Sequence, residues 1–529
     1  MSRPAVLLPS ERASALGLSL RSHALPAAVA AGTFWLAYDG GSFDLPSRNG
    51  LAAALTWAVV VAVVLGLWPR ARPTRAAAVV ACSMAALAGW TLASAGWAAS
   101  AELAVVELNR VLLYLAVFLF VVFAANRGEA GRWADGIAAG IVATAVLALM
   151  SRLYPDVLSD DNALEFLPSA QNRLSFPLDY WNGLAIFSAL AIPLLLRAAV
   201  VSERAAARAL AIAPFPVLAS VVYLTSSRGG VVTALTGIVL FAALTDRRLR
   251  ALVAIFFGGL GAAAAVALLQ GRTELVNQPG TEAAVSQGRT AGILIFVVAV
   301  TTGLAYSLAA RLVPPGIRLG NRARAVVAVL AVAVLAVGVF AADPAERFRE
   351  FKQPPPALGE ENPTGVHLTS ASGTGRWQQW EAAVESFETR PLEGRGAGSY
   401  GAWWAMNGTL PEFVNDAHSL YLETLAELGL VGFGLVVVLF GTGIAVGLQR
   451  VRESPRGERA TAAAPAAAFV GFAAAAGIDW MWEMTVVSVV GVALLGLVAG
   501  AALQPPQRRS AMRLAGRARL AVTFAAVVL

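Results

Sequence analysis

Apolar stretches long enough to cross a bilayer recur through this chain almost from end to end, and that repetition limits its fold more than any other feature. A hydrocarbon core of about 30 Å takes roughly 17 to 25 residues of helix. Inside it every backbone N–H and C=O must pair internally, which leaves helices or closed barrels. The apolar residues here run continuously rather than alternating, which is the helical case. Composition agrees: 57% of residues are hydrophobic and 14% charged, against about 25% charged in soluble domains. The expected fold is an all-α polytopic integral membrane protein with about 12–14 transmembrane helices. The apolar cores are Leu25–Tyr38, the weakest, then Leu51–Trp68, Ala76–Trp97, Val111–Ala125, Ile137–Met150, Trp181–Val201 and Ala209–Leu224. Val231–Leu244, Leu252–Leu269, Ile293–Leu312, Ala325–Ala342, Leu420–Leu448, Ala462–Ile478 and Val486–Leu503 follow.

The basic residues are almost all arginine and cluster in every second loop: Arg70, Arg72 and Arg75; Arg127 and Arg132; Arg197, Arg204 and Arg208; Arg247, Arg248 and Arg250. The pattern continues through Arg311, Arg318, Arg322 and Arg324, then Arg450, Arg452, Arg456 and Arg459. Such alternation sets topology and marks these loops cytoplasmic, so the basic pI of this chain implies no nucleic-acid partner. The resulting organisation is a cytoplasmic tail over 1–24, eleven helices over 25–342, an extracytoplasmic loop with short helices over 343–417, three helices over 418–503, and a basic segment with an apolar stub over 504–529. The first span reads as a retained anchor. Cys82 is the only cysteine, which excludes an internal disulfide.

Four extracytoplasmic segments hold polar residues that topology does not explain: Ser151–Tyr180, the turn Thr225–Gly230, the loop Asp343–Ala417 and the turn Gly477–Glu483. Arg228 stands in a tight turn on the side that positive charge avoids. It reads either as an arginine snorkelling to lipid phosphate or as a clamp for phosphate or carboxylate, with Gly229 and Gly230 admitting a ligand close to the backbone. The loop is about 75 residues, long enough to be a functional lid or small domain. Trp377, Trp380, Val384 and Phe387 recur there at helical spacing. Arg376 opens that helix, where the dipole disfavours a cation, so it needs an anionic partner. Glu381, Glu385 and a bound anion are the candidates. The run Gly394-Arg-Gly396-Ala-Gly398 has no preceding strand and is not a nucleotide loop.

His418 leads the stretch His418-Ser-Leu-Tyr-Leu-Glu423-Thr-Leu-Ala-Glu427-Leu-Gly429-Leu-Val-Gly432. A titratable imidazole and two carboxylates at the mouth of an apolar helix point to water or a polar ligand, or to a buried structural histidine. His23 and His367 stand in a tail and a loop and carry no such signal. Asp479 reads equally as a partner for His418, a sugar ligand or a helix cap. Tyr400, Trp403, Trp404 and Trp480 read as sugar-stacking faces or an interfacial belt.

Taken together these residues resemble the O-antigen ligase and polymerase (WaaL/Wzy) superfamily of bacterial membrane glycosyltransferases. Its ligase members carry a histidine, a small polar residue, nine variable residues, then glycine, two variable residues and a small residue, as in His418-Ser419 followed by Gly429 and Gly432. Ser227-Arg228-Gly229 resembles the family's arginine turn. Gly375-Arg376-Trp377, with Pro391 through Tyr400, resembles its pre-histidine loop, and Asn182 its asparagine at the start of a central span. The resemblance covers roughly Trp181–Leu503 and implies a GT-C-like fold. It further implies transfer of a glycan from undecaprenyl diphosphate to a hydroxyl of a glycan, lipid or protein acceptor, on the extracytoplasmic face of the bacterial plasma membrane, with no cofactor and no metal. Arg228 and Arg376 would hold the donor diphosphate and His418 would act as base; Asn182, Asp479, Tyr400 and Gly429 would support them. A single in-line displacement with inversion is the simplest course. The alternatives are a Wzy-type polymerase and, in a different class, a transporter or flippase, against which the central spans offer few ionisable groups at mid-membrane depth.

Overall fold

The computed structural model describes residues 9–158, 172–313, 343–355 and 368–505, with side chains from residue 23 onward. Among them every regular element is helical. Among the described residues ten helices are long and apolar enough to cross a membrane: Leu45–Val64, Arg75–Ser94, Ala101–Ala124, Ala130–Leu153, Trp181–Val201, Ala205–Leu224, Arg248–Gln270, Glu282–Ala309, Leu420–Glu453 and Arg459–Ala476. Arg228–Leu244 and Thr485–Ala499 are shorter apolar helices. The weakest expected core, Leu25–Tyr38, is the second half of a helix Pro9–Tyr38 that is not among the ten. The expected span Ala325–Ala342, residues Arg318, Arg322, Arg324 and His367, and the segment from Arg508 to Leu529 lie outside the described residues.

The core sits where the helices Trp181–Val201, Arg459–Ala476 and Thr485–Ala499 are enclosed by the rest. Trp181–Val201 is 83% buried over its best membrane window, and every residue of Thr485–Ala499 is buried. The first of these packs against Arg228–Leu244 and Arg459–Ala476. Small residues let the backbones approach, as is usual where lipid removes the hydrophobic drive for helix association. A Cβ on Gly230 would stand 2.6 Å from Ala185 Cβ, so this glycine admits a neighbouring helix and not a ligand, contrary to the expectation from sequence. Outer helices turn Phe256, Ile293 and Phe296 outward. Cys82 is also exposed and does not pack in the core.

The glycines around the histidine motif have a mechanical cause. Gly429, at φ 63°, breaks the helix Leu420–Glu453, and a Cβ there would lie 2.2 Å from the Leu392 carbonyl oxygen. In an unbroken helix the Leu430 N–H would bond the Ala426 carbonyl and the Val431 N–H that of Glu427. Instead Leu430 donates to Pro391 (2.8 Å) and Val431 to Leu392 (3.4 Å), while Arg395 and Gly396 donate to the vacated Ala426 and Glu427 carbonyls at 3.1 and 2.7 Å. The Glu427 carboxylate completes the splice by accepting the N–H groups of Gly398 (2.8 Å) and Tyr400 (2.9 Å). Glu427 therefore fixes the loop to the helix.

Candidate active site at the loop-side helix ends

Asp479 is the hub. It lies in the turn between Arg459–Ala476 and Thr485–Ala499 and is 2% exposed. Its Oδ2 accepts from Arg376 Nη2 at 2.7 Å and Asn182 Nδ2 at 2.8 Å. Its Oδ1 accepts from the Tyr180 hydroxyl at 2.7 Å and the Trp480 N–H at 3.0 Å. A buried carboxylate must be paired and hydrogen-bonded, and these four donors meet that need. Burial acts to raise its pKa, but Arg376, His418 and the donors outweigh it and hold the group below its usual range.

Arg376 opens the helix Arg376–Thr389, behind Gly375 at φ 84°. It also donates to the Ile478 carbonyl (3.0 Å) and to Thr374 Oγ1 (2.9 Å). Burial disfavours its charge and Asp479 more than restores it. Its anionic partner thus comes from a distant turn; neither Glu381 nor Glu385 pairs with it.

Arg228 is the first residue of its helix, capped by Ser227. Its Nη1 donates to the Ser370 carbonyl at 2.7 Å, which ties the turn to the long loop. A third guanidinium, Arg173, was missed by sequence reasoning. It donates to the carbonyls of Thr225 (2.8 Å) and Ser226 (3.1 Å), approaches Asn182 Oδ1 at 3.4 Å, and lies 4.6 Å over the Trp181 ring. Burial pushes its pKa down, and repulsion from Arg376 and Arg228 adds to this against attraction from Tyr180 and Asp479. Arg376 therefore lies in the field of both Arg173 and Arg228, with Asp479 fully engaged by its donors and Glu350 acting on Arg228.

His418 is brought to the same turn. Its ring meets Trp480 edge-on at 6.3 Å between centroids, and Trp480 in turn packs on Tyr180 at 4.6 Å. The Asp416 carbonyl lies 3.1 Å from Nδ1. A carbonyl only accepts, so Nδ1 carries the hydrogen and Nε2 keeps a free lone pair. Burial pushes the imidazole down to about 4, with Asp479 opposing and Arg376 adding to the fall. Asp479 does not hydrogen-bond His418; it acts on it only through its charge. The backbone is held in the left-handed region at His418 (φ 52°), Thr374 (49°), Ser226 (52°) and Asp179 (58°), each within two residues of a site side chain or itself one. Such strain persists only where the surroundings over-determine it, and it concentrates at functional sites.

Behind His418 lies an acidic group. Glu423 accepts the Ala417 N–H at 2.8 Å and so fixes the residue before the histidine. Carboxylate oxygens of Asp416, Glu423 and Glu483 lie within 4.8 Å of one another. Burial, opposed by Arg110, pushes Asp416 up to about 6 and Glu483 up to about 8. These oxygens are of the type hard cations take, but Arg110, 3.8 Å from Glu483 and paired with Glu107, already supplies positive charge.

The remaining expected residues stand elsewhere. Tyr400 is 1% exposed and donates to the Gln379 carbonyl at 2.9 Å, bracing the helix that carries Arg376. Trp404 is buried beside it and donates to the Glu412 carbonyl. Neither offers a face to a sugar, whereas Trp403 and Trp480 remain partly exposed.

Residues 283–437 match a family model described as O-antigen ligase, which supports a resemblance of that stretch to the O-antigen ligase/polymerase superfamily. The match takes in Arg376, His418 and Gly429 and ends before Asp479. No curated protein matches the chain.

Proposed function

We propose, from the match of residues 283–437 to the O-antigen ligase family model, that this chain belongs to the O-antigen ligase/polymerase superfamily and transfers a glycan from undecaprenyl diphosphate to an acceptor hydroxyl on the extracytoplasmic face of the plasma membrane. That superfamily implies a glycosyltransferase-like enzyme working on lipid-linked glycans. The observation that carries the finer reading is the turn Ile478–Trp480, which holds Arg376 through Asp479 and packs His418 against Trp480. One rigid turn thereby sets the spacing between an anion-binding cation and a base.

In this reading the donor diphosphate docks on Arg376, Arg228 and Arg173. Hydrogen bonds to charged groups contribute about 1.5–3 kcal/mol each. The acceptor oxygen attacks the anomeric carbon as the bond from that carbon to the phosphate oxygen breaks. The electron pair leaves on undecaprenyl diphosphate, whose charge the three guanidinium groups balance, and the acceptor proton passes to Nε2 of His418. General-base assistance of this kind is worth about 10² to 10⁴ in rate. The step inverts the anomeric carbon and routes nothing through a metal.

His418 is a weak base in the free protein. Bound diphosphate would offset the field of Arg376 and raise the basicity of the imidazole only when the donor is in place. Donor binding and acceptor activation are coupled through Arg376 in this way, and idle hydrolysis is disfavoured.

Ligase and polymerase share this chemistry and differ in acceptor; the His418-Ser419 to Gly432 spacing favours the ligase. The test is the glycan profile of cells whose sole copy carries His418→Ala, with expression confirmed. Long glycan stranded on the carrier supports the ligase, and single repeat units the polymerase. An unchanged profile removes His418 as the base.

A further inference from the structure

Trp403 and the cations around it take no part in the reaction proposed above, yet they border a cavity of about 120 Å³ in which Trp97, Arg390, Arg395, Ser399 and Trp403 meet. The Arg395 guanidinium lies 4.6 Å over the Trp403 ring and donates to Thr389 Oγ1 at 2.9 Å. No carboxylate lines the cavity, and neither Arg390 nor Arg395 forms an ion pair among the described residues. The indole N–H atoms of Trp97 and Trp403 are buried, and among the described residues neither has a hydrogen-bond partner. The Ser399 hydroxyl is already engaged, donating to the Arg395 carbonyl and accepting from the Ala99 N–H. The walls thus offer donors, positive charge and flat apolar faces, and little that accepts.

A fitting ligand must be rich in acceptors, negatively charged and flat on one side. We infer that this cavity is a subsite for an anionic sugar unit, a carboxylated or phosphorylated pyranose, of the glycan being transferred or extended. The ring stacks on an indole face, and its acidic group takes the guanidinium groups. This inference rests on the glycan-transfer reading and names part of the substrate. The helix Arg376–Thr389 has its first residue at the diphosphate site and its end beside the cavity. At about 1.5 Å per residue its 14 residues span roughly 20 Å, so the unit recognised lies several sugars from the reacting bond. The subsite would select glycans by a charge at a fixed distance from the transferred end.

A lipid phosphate shares the charge but has no ring to stack, and the experiment separates the two. Glucuronic acid and glucose are titrated onto the full-length protein in phosphatidylcholine nanodiscs, with and without phosphatidylglycerol, and binding is read by saturation-transfer NMR. Glucuronic acid is expected to give ring-proton transfer at least five times that of glucose. The signal should fall at least fivefold in Trp403→Ala and in Arg390→Gln, an exposed residue whose replacement leaves folding intact, and persist in His418→Ala. Equal signals in wild type and Arg390→Gln overturn the assignment. So does loss of glucuronate binding on adding phosphatidylglycerol, which makes the cavity a lipid-headgroup site. Neither result bears on His418 and its chemistry, which the His418→Ala glycan profile tests separately.

Discussion

Arg376 Nη2 donates to Asp479 Oδ2 at 2.7 Å across 103 residues of chain. The pair joins the loop helix to the turn that carries Trp480, and it draws in Tyr180 and Asn182 from a third element. Its value is more than a salt bridge, because Asp479 sets where the guanidinium stands and lessens the burial penalty on His418.

Removing the carboxylate leaves a buried cation without its partner, which costs about 3–5 kcal/mol. Asp479→Ala is therefore expected to lower the unfolding temperature and abolish transfer. Asp479→Asn, which retains the size and one carbonyl acceptor, should fold better yet raise the donor KM. Thermal melts beside steady-state kinetics separate the two effects. Wild-type donor KM in Asp479→Asn would refute the positioning role.

Arg173→Gln removes a guanidinium that sequence reasoning overlooked. Loss of one charge-assisted hydrogen bond of about 1.5–3 kcal/mol corresponds to a ten- to hundredfold weaker donor. Arg173→Lys should restore little, since an ammonium cannot span the Thr225 and Ser226 carbonyls while stacking on Trp181. Donor titration of the two variants measures this, and full recovery in the lysine variant contradicts it.

With His418 at about 4 in the free protein, the imidazole is neutral and competent across pH 6–8. The acid limb of kcat/KM, which reports free enzyme, should fall near pH 4. On the proposed reading bound diphosphate offsets Arg376 and raises the imidazole pKa, so the limb of kcat should lie at higher pH. Coincident limbs near the ordinary histidine value of about 6.5 would show that neither burial nor the bound donor shifts the base.

Gly429→Ala places a methyl group 2.2 Å from the Leu392 carbonyl oxygen at a left-handed position. It should undo the splice between helix and loop, lowering thermal stability and activity together. His418→Ala should leave the melting temperature within about 2 °C of wild type. A stable, active Gly429→Ala protein would contradict the mechanical role given to the motif glycines.

Residues that break a local rule were legible in the sequence. Arg228 violates the positive-inside pattern, Arg376 opposes a helix dipole, and His418 stands with carboxylates at the mouth of an apolar helix; the structure brings all three to one end of the bundle. Partnerships between distant segments were not legible. Arg376 reads naturally with Glu381 or Glu385, yet Asp479 takes it, because the loop helix packs its first turn against another part of the chain. Arg173 looked like one more loop arginine; its placement outside the cytoplasmic clusters was the signal available. Gly230 misled: it serves helix packing where the sequence suggested room for a ligand, and periodicity cannot distinguish the two, whereas Gly429 makes a chain splice. Glu427 was read as facing water for the same reason, since its two backbone donors are about thirty residues away.

The most direct measurement is single-turnover transfer by purified His418→Ala in nanodiscs, with donor binding measured on the same preparation. The account predicts donor affinity within about twofold of wild type and a chemical step slower by about 10² to 10⁴. An unchanged chemical step in His418→Ala would contradict it, as would loss of donor binding with no change in the rate of the donor that remains bound.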